Sequence, residues 1–315
     1  MPKLLTVRDL VVEVPARKIK IIDGVSFSLD AGQTLGLVGE SGCGKSMTCF
    51  AVAKALPRGI AQTGGTITLE GEAPRSGKAD EPSIAMIFQD PTSSLNPVHT
   101  IGYYLESALF RHQRLKGNDA RLEAMRLLER VGIDQAKSRL RSYPHQFSGG
   151  MNQRVMIAHA LAAKPQLLIA DEPTTALDVT TQAQILHLLE ELRAETGMAL
   201  LIVSHDLGVI ARLADRAAVM YCGKIVETAP VGELLGRAAH PYACALIDCM
   251  PSIDPDDLKP PIPIPGSVPL LDNLPTGCYY HPRCPRASDR CTASFPDPAN
   301  VGPLHEAACY HPVNA

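Results

Sequence analysis

The stretch Gly39-Glu40-Ser41-Gly42-Cys43-Gly44-Lys45-Ser46 fits the pattern G-x-x-x-x-G-K-[ST], a loop whose backbone amides wrap phosphates. The run Leu35-Gly36-Leu37-Val38 before it reads as a buried strand, and Met47 to Leu56 after it as a helix, the context that the loop requires. Glycines let the backbone approach the phosphates, and the helix turns its positive end toward them. Lys45 is placed to reach the β- and γ-phosphates, and the Ser46 hydroxyl to bind Mg²⁺. A nucleoside triphosphate with its metal is the implied ligand.

Alternation of strands with helices surrounds this loop. Leu4 to Val14 and Gly24 to Leu29 carry β character, giving an N-terminal antiparallel β-element, and Gly64 to Gly71 forms a further strand. Pro74 to Pro82 reads as a polar loop, followed by a short strand over Ile84 to Phe88 that ends at Gln89. From about 96 to 163 the pattern is helical, with Ala124, Leu127, Leu128 and Val131 on one stripe. Within that span Ser148-Gly149-Gly150-Met151 reads as a capped helix start, a second place suited to anions. Leu167 to Ala170 is a buried strand ending in Asp171 and Glu172, and Ala199 to Val203 one ending at Ser204-His205-Asp206. Two carboxylates at the end of an apolar strand need a cation or water. The expected fold is α/β, with a mostly parallel core sheet and chemistry at its strand ends.

Composition limits the rest. No apolar run approaches the ~18 residues of a membrane helix, and Arg8 and Asp9 interrupt the N-terminal stretch. A net charge of −3 gives no basic field, so no nucleic-acid partner is expected. Eight prolines between Met250 and Thr276 mark an extended linker. The expected division is 1–249 for the nucleotide domain, 250–276 for the linker and 277–315 for a small Cys-rich extension. Of nine cysteines, Cys43, Cys49, Cys222, Cys244 and Cys249 read as small hydrophobes. Cys43, beside the amides of a helix start, is also expected to be a reactive thiol.

In order along the chain, the phosphate loop, Gln89, Ser148 to Met151, Asp171-Glu172, Thr175-Ala176-Leu177-Asp178 and His205 resemble the ATP-binding cassette (ABC) ATPases. The likeness spans about Leu4 to Leu235. It implies that Asp171 holds Mg²⁺ through water, that Glu172 is the general base, and that His205 contacts the γ-phosphate and the attacking water. By the same resemblance Gln89 senses metal and membrane partner. Ser148, Gly149, Gly150 and Met151 act on ATP held by a second cassette, with Asp178 at the seam. Met151 stands where many relatives carry Gln, a mark of peptide-type importers. The family's usual adenine-stacking aromatic falls near Val14, and no aromatic precedes Phe27, so apolar contact, or Ile19 or Ile21, is expected to hold the base.

His240-Pro241-Tyr242, Ile264 to Pro269 and the tail cysteines resemble the C-terminal extension of dipeptide and oligopeptide importer ATPases, which nickel and opine importers share. Cys278, Cys284, Cys291 and Cys309 are spaced C-x5-C-x6-C-x17-C. Open spacing, with one cysteine followed by proline, suits an iron–sulfur cluster, and relatives are similar in carrying [4Fe–4S]. Zinc and unliganded thiols remain alternatives. The resemblance implies the ATPase subunit of a bacterial importer for peptides or related solutes, at the cytoplasmic face of the inner membrane and bound only through partners. Those partners are two permease subunits, a second, non-identical cassette and an external solute-binding protein. The rivals are a soluble ABC ATPase outside transport and an iron–sulfur protein with a vestigial nucleotide site.

Overall fold

The computed structural model describes residues 3–69, 84–175, 177–250 and 262–314. The polar loop expected over Pro74–Pro82 and much of the proline-rich linker lie outside them. Strands β1 (Lys3–Val14) and β2 (Ile19–Asp30) form a hairpin, then β3 (Thr34–Val38) leads into helix α1 (Lys45–Val52). Next come β4 (Ala61–Leu69), β5 (Ile84–Ile87) and the helices α2 (Pro91–Ser94), α3 (Ile101–Gln113), α4 (Gly117–Arg130), α5 (Ala136–Arg139) and α6 (Gly149–Leu161). The second half runs β6 (Leu167–Asp171), α7 (Val179–Thr196), β7 (Ala199–Ser204), α8 (Leu207–Leu213), β8 (Arg216–Tyr221) and β9 (Lys224–Pro230). It closes with α9 (Val231–Arg237), α10 (Pro241–Asp248), α11 (Asp289–Ala293), β10 (Ala299–Gly302) and β11 (His305–Ala307).

Every residue of β3, β6 and β7 is buried, as continuous apolar runs require of central parallel strands. The main sheet has the order β10-β11-β9-β8-β3-β7-β6-β5. From β8 to β5 the strands are parallel, and β9, β11 and β10 pair antiparallel at the other edge. A separate antiparallel sheet, β2-β1-β4, covers the N-terminal side.

The expected stripe of Ala124, Leu127, Leu128 and Val131 is buried, and on α7 so are Ile185, Leu188, Leu189 and Leu192. Helix α1 stops at Val52 rather than Leu56, since Lys54 takes φ 54°, a left-handed conformation that ends helices.

The tail is not a module apart from the sheet. Strand β11 pairs with β9 at Glu306↔Thr228 and Ala307↔Glu227. Buried His305 meets Glu227 at 2.7 Å, and Glu227 also accepts the backbone N–H groups of Ala239 and His240. One carboxylate of β9 thus joins the tail to the start of α10.

Candidate active site

Four neighbouring parallel strands deliver the site at their carboxyl ends. Strand β3 runs into the phosphate loop, β6 ends at Asp171, β7 stops just before His205, and β5 just before Gln89. Because β6 lies between β5 and β7, Glu172 emerges flanked by Gln89 and His205.

Close packing makes glycine obligatory at Gly39, where a Cβ would lie 2.2 Å from the Met220 carbonyl. Gly44, at φ 104°, is the cap residue of α1. Lys45 is buried and its Nζ donates to the carbonyls of Gly39 at 2.7 Å and Glu40 at 3.0 Å, which keeps the ammonium within the loop. The β1–β2 hairpin borders this loop. Val14 pairs with Ile19 at its tip, and the Ile21 carbonyl lies beside Gly44.

Ser46 Oγ donates to Asp171 Oδ1 at 3.0 Å. Burial pushes the Asp171 carboxyl above its ordinary range, against the pull of the Ser46 hydrogen bond. A buried carboxylate beside a hydroxyl is a donor set suited to a hard cation, so these residues fit Mg²⁺. Gln89 Nε2 donates to Glu172 Oε2 at 2.9 Å.

Glu172 is the hub of the site. Oε2 also accepts from the Thr175 hydroxyl at 2.8 Å, and His205 Nδ1 stands 3.3 Å from Oε1. Glu172 itself takes φ 46°, a conformation costly for a residue that carries a Cβ, and its N–H donates to the Val203 carbonyl at 3.0 Å. The turn thereby points the carboxylate back over the ends of the strands. Thr175, quoted in the sequence only as part of a motif, is a holder of Glu172 that residue type alone does not single out.

The Ser148 group sits apart from this hub. Ser148 caps α6 by accepting from the Met151 N–H at 3.3 Å, as the Ser-Gly-Gly pattern predicts, and Ser148 and Gly149 are exposed. At Gly150 a Cβ would meet the Thr181 methyl at 2.5 Å, so glycine lets α6 approach α7. Asp178 caps α7, accepting from the Thr181 N–H at 2.9 Å and its hydroxyl at 2.7 Å. These bonds hold its carboxyl below the usual range.

Cys43 overturns the expectation of a reactive thiol. It is 1% exposed, and burial pushes its thiol up, outweighing the nearby Lys45 charge. The lowered values found at helix starts require access to solvent as well as the dipole. The expected outcome of brief treatment of the folded protein with a bulky maleimide is that peptide mapping finds Cys43 unmodified. Its labelling before the half-buried thiols of Cys244, Cys249, Cys284 and Cys309 would show that the loop opens.

In the tail, Cys278, Cys284, Cys291 and Cys309 line one pocket together with His281 and His311. Backbone N–H groups of Arg286 and His311 approach the sulfurs of Cys284 and Cys309 at 3.4 and 3.3 Å, and the Ser288 hydroxyl approaches Cys291 at 3.6 Å. No group of three or more His, Cys, Asp or Glu among the described residues is placed to hold a metal ion. The four thiols share a pocket without forming a ligand group, so the iron–sulfur expectation rests on their spacing and on the resemblance.

Comparison with known proteins agrees with both halves of the chain. The family "ABC transporter" matches residues 22–175, and "Oligopeptide/dipeptide transporter, C-terminal region" matches residues 226–291. Oligopeptide transport ATP-binding protein AppD of Bacillus subtilis is 43% identical, over 94% of this chain and 93% of that protein. Oligopeptide transport ATP-binding protein OppD of Escherichia coli is 42% identical, over 98% and 94%. Among solved structures, the ATP-binding cassette MJ0796, a post-hydrolysis dimer bound to ADP and Pi, aligns with a TM-score of 0.63 at 25% identity, covering 72% of this chain and 99% of that one.

Proposed function

The chain belongs to the ABC transporter family, in its peptide-import branch, and from that premise we propose how its residues do the work. It is the ATP-hydrolysing subunit of an importer for di- and oligopeptides or related small solutes. The observation that carries the assignment of roles is the Glu172 hub, one carboxylate bound by Gln89, Thr175 and His205 beside the Ser46–Asp171 pair.

Lys45 and the loop amides bind the phosphates. Ser46 and Asp171 hold Mg²⁺, which when bound neutralises charge on the phosphates. Glu172 takes the proton of the attacking water, and His205, across the carboxylate at 3.3 Å, orients that water and the γ-phosphate. The hydrogen bond from Gln89 to Glu172 makes it the residue through which a permease reports to the base. Exposed Val98 and Tyr103, on the segment that follows Gln89, support docking of a permease nearby.

Exposed Ser148 and Gly149, with half-buried Gly150 and Met151, complete the ATP site of a second cassette, with Asp178 at the seam, so one cassette alone is nearly inert. The residues divide as 1–249 for the ATPase domain, 250–276 for the linker and 277–315 for the extension, and the four tail cysteines hold one structural [4Fe–4S] cluster. No helix among the described residues is long and apolar enough to cross a membrane. That supports peripheral attachment, through two permease subunits, at the cytoplasmic face of the inner membrane. An external binding protein delivers the solute.

The reading is tested on the complex purified from membranes through a tag on this chain. Two permeases and a second cassette should co-purify, and peptide-loaded binding protein should raise ATP hydrolysis. A chain recovered free of permease, hydrolysing ATP without response to peptide, would overturn it.

A further inference from the structure

A buried side chain of the tail reaches the phosphate loop. Arg283 lies one residue before Cys284 and is 8% exposed. Its Nη1 and Nη2 donate to the two carboxylate oxygens of Glu40 at 2.8 and 3.1 Å, and its Nε donates to the Pro265 carbonyl at 2.8 Å. Nη1 also stands 3.3 Å from the Tyr221 hydroxyl. Glu40 is the second residue of the loop, and its own N–H donates to the Tyr242 hydroxyl at 2.8 Å. Tyr221, Tyr242 and Tyr280 are fully buried, with ring centroids 4.6 to 5.3 Å apart. The brace is therefore mounted on packed aromatic rings.

Two physical consequences follow. A planar, bidentate guanidinium fixes a carboxylate in direction as well as in place, so Glu40, and with it the start of the loop, is held by a residue 243 positions further along. The charge matters more. The loop must receive a polyanion, and a carboxylate on it opposes that unless neutralised. Lys45 answers to the Glu40 carbonyl, leaving the side-chain charge to Arg283.

We propose that Arg283 is a positioning residue for nucleotide binding. By neutralising and holding Glu40 it keeps the phosphate loop fit for a triphosphate, and it makes affinity for MgATP depend on the C-terminal tail being seated. The inference rests on the nucleotide-site reading above.

The test measures binding of a fluorescent ATP analogue with Mg²⁺ to the full chain, and KM and kcat in the assembled complex. Arg283→Met should weaken binding about tenfold, within the usual range of coupling between sites, and raise KM more than it lowers kcat. Adding Glu40→Gln to Arg283→Met should recover most of the loss, since the unpaired charge is gone. A mere strut gives a different pattern, because removing its second half restores nothing. Tyr242→Phe, a milder change, should weaken binding roughly fivefold, the worth of one hydrogen bond, and serves where Arg283→Met does not fold. Wild-type affinity in Arg283→Met or in Tyr242→Phe, or a double variant as weak as the single, overturns the proposal. Failure of the wild-type chain to bind the analogue would instead remove the nucleotide-site reading beneath it.

Discussion

Glu172→Gln is expected to leave MgATP binding intact while hydrolysis in the assembled complex falls by about 10²–10⁴-fold, the usual contribution of a general base. The amide keeps the shape of the carboxylate. Its oxygen can still accept from Gln89 Nε2 and the Thr175 hydroxyl, both of which bond Oε2. The amide nitrogen then faces His205 Nδ1, where Oε1 stood at 3.3 Å, and the imidazole meets it by presenting a bare nitrogen. The hub therefore survives, and the basic oxygen alone is lost. Steady-state phosphate release and nucleotide trapping, measured on the same preparation, separate the two properties. Hydrolysis at the wild-type rate would move the base elsewhere. Loss of ATP binding together with hydrolysis would mean that Glu172 shapes the site rather than acting in it.

The elements of that experiment were legible because each site residue follows a strand that the sequence marks clearly. Leu35 to Val38, Leu167 to Ala170 and Ala199 to Val203 are apolar on both faces, as strands in the middle of a parallel sheet must be, and chemistry collects where such strands end. The cap at Ser148 was equally plain, since Ser followed by glycines opens helices. Less could be seen where the signal lies in space rather than in spacing. Strands β10 and β11 span four and three residues, too few for alternation to register, and they belong to the main sheet only because β9 presents an edge. Arg283 carries no pattern of its own, and its partner Glu40 stands at a position that the phosphate-loop motif leaves free. Cys43 shows the opposite failure. The dipole argument was sound as far as it went, but burial at 1% exposure prevails over a partial charge, which no local pattern announces.

If the four tail cysteines hold the proposed cluster, replacing any one of Cys278, Cys284, Cys291 and Cys309 by Ser abolishes iron binding and loosens the tail. On the cluster reading, anaerobically purified wild-type protein carries about four irons and four sulfides per chain, and each single variant close to none. Beyond the β11–β9 pairing, the His305–Glu227 contact and the Arg283–Glu40 pair, the tail has little core of its own. It has one five-residue helix and two short strands, and its buried side chains include the very cysteines in question, Cys278 and Cys291. A segment of this size needs a staple in addition to its core. Burial pushes the Cys309 thiol up to about 11, so without a metal it remains a neutral thiol in a pocket shared with three others, packing but not fastening. Because Arg283 is bonded to Glu40 and directly precedes Cys284, the damage should not stop at the tail. The same variants should become sensitive to protease after the proline-rich linker and should bind MgATP more weakly, by about the tenfold expected of Arg283→Met. One zinc and no iron in the wild-type protein would replace the cluster with a zinc staple. Full protease resistance and wild-type MgATP affinity in the Cys284→Ser variant would show that the thiols fasten nothing.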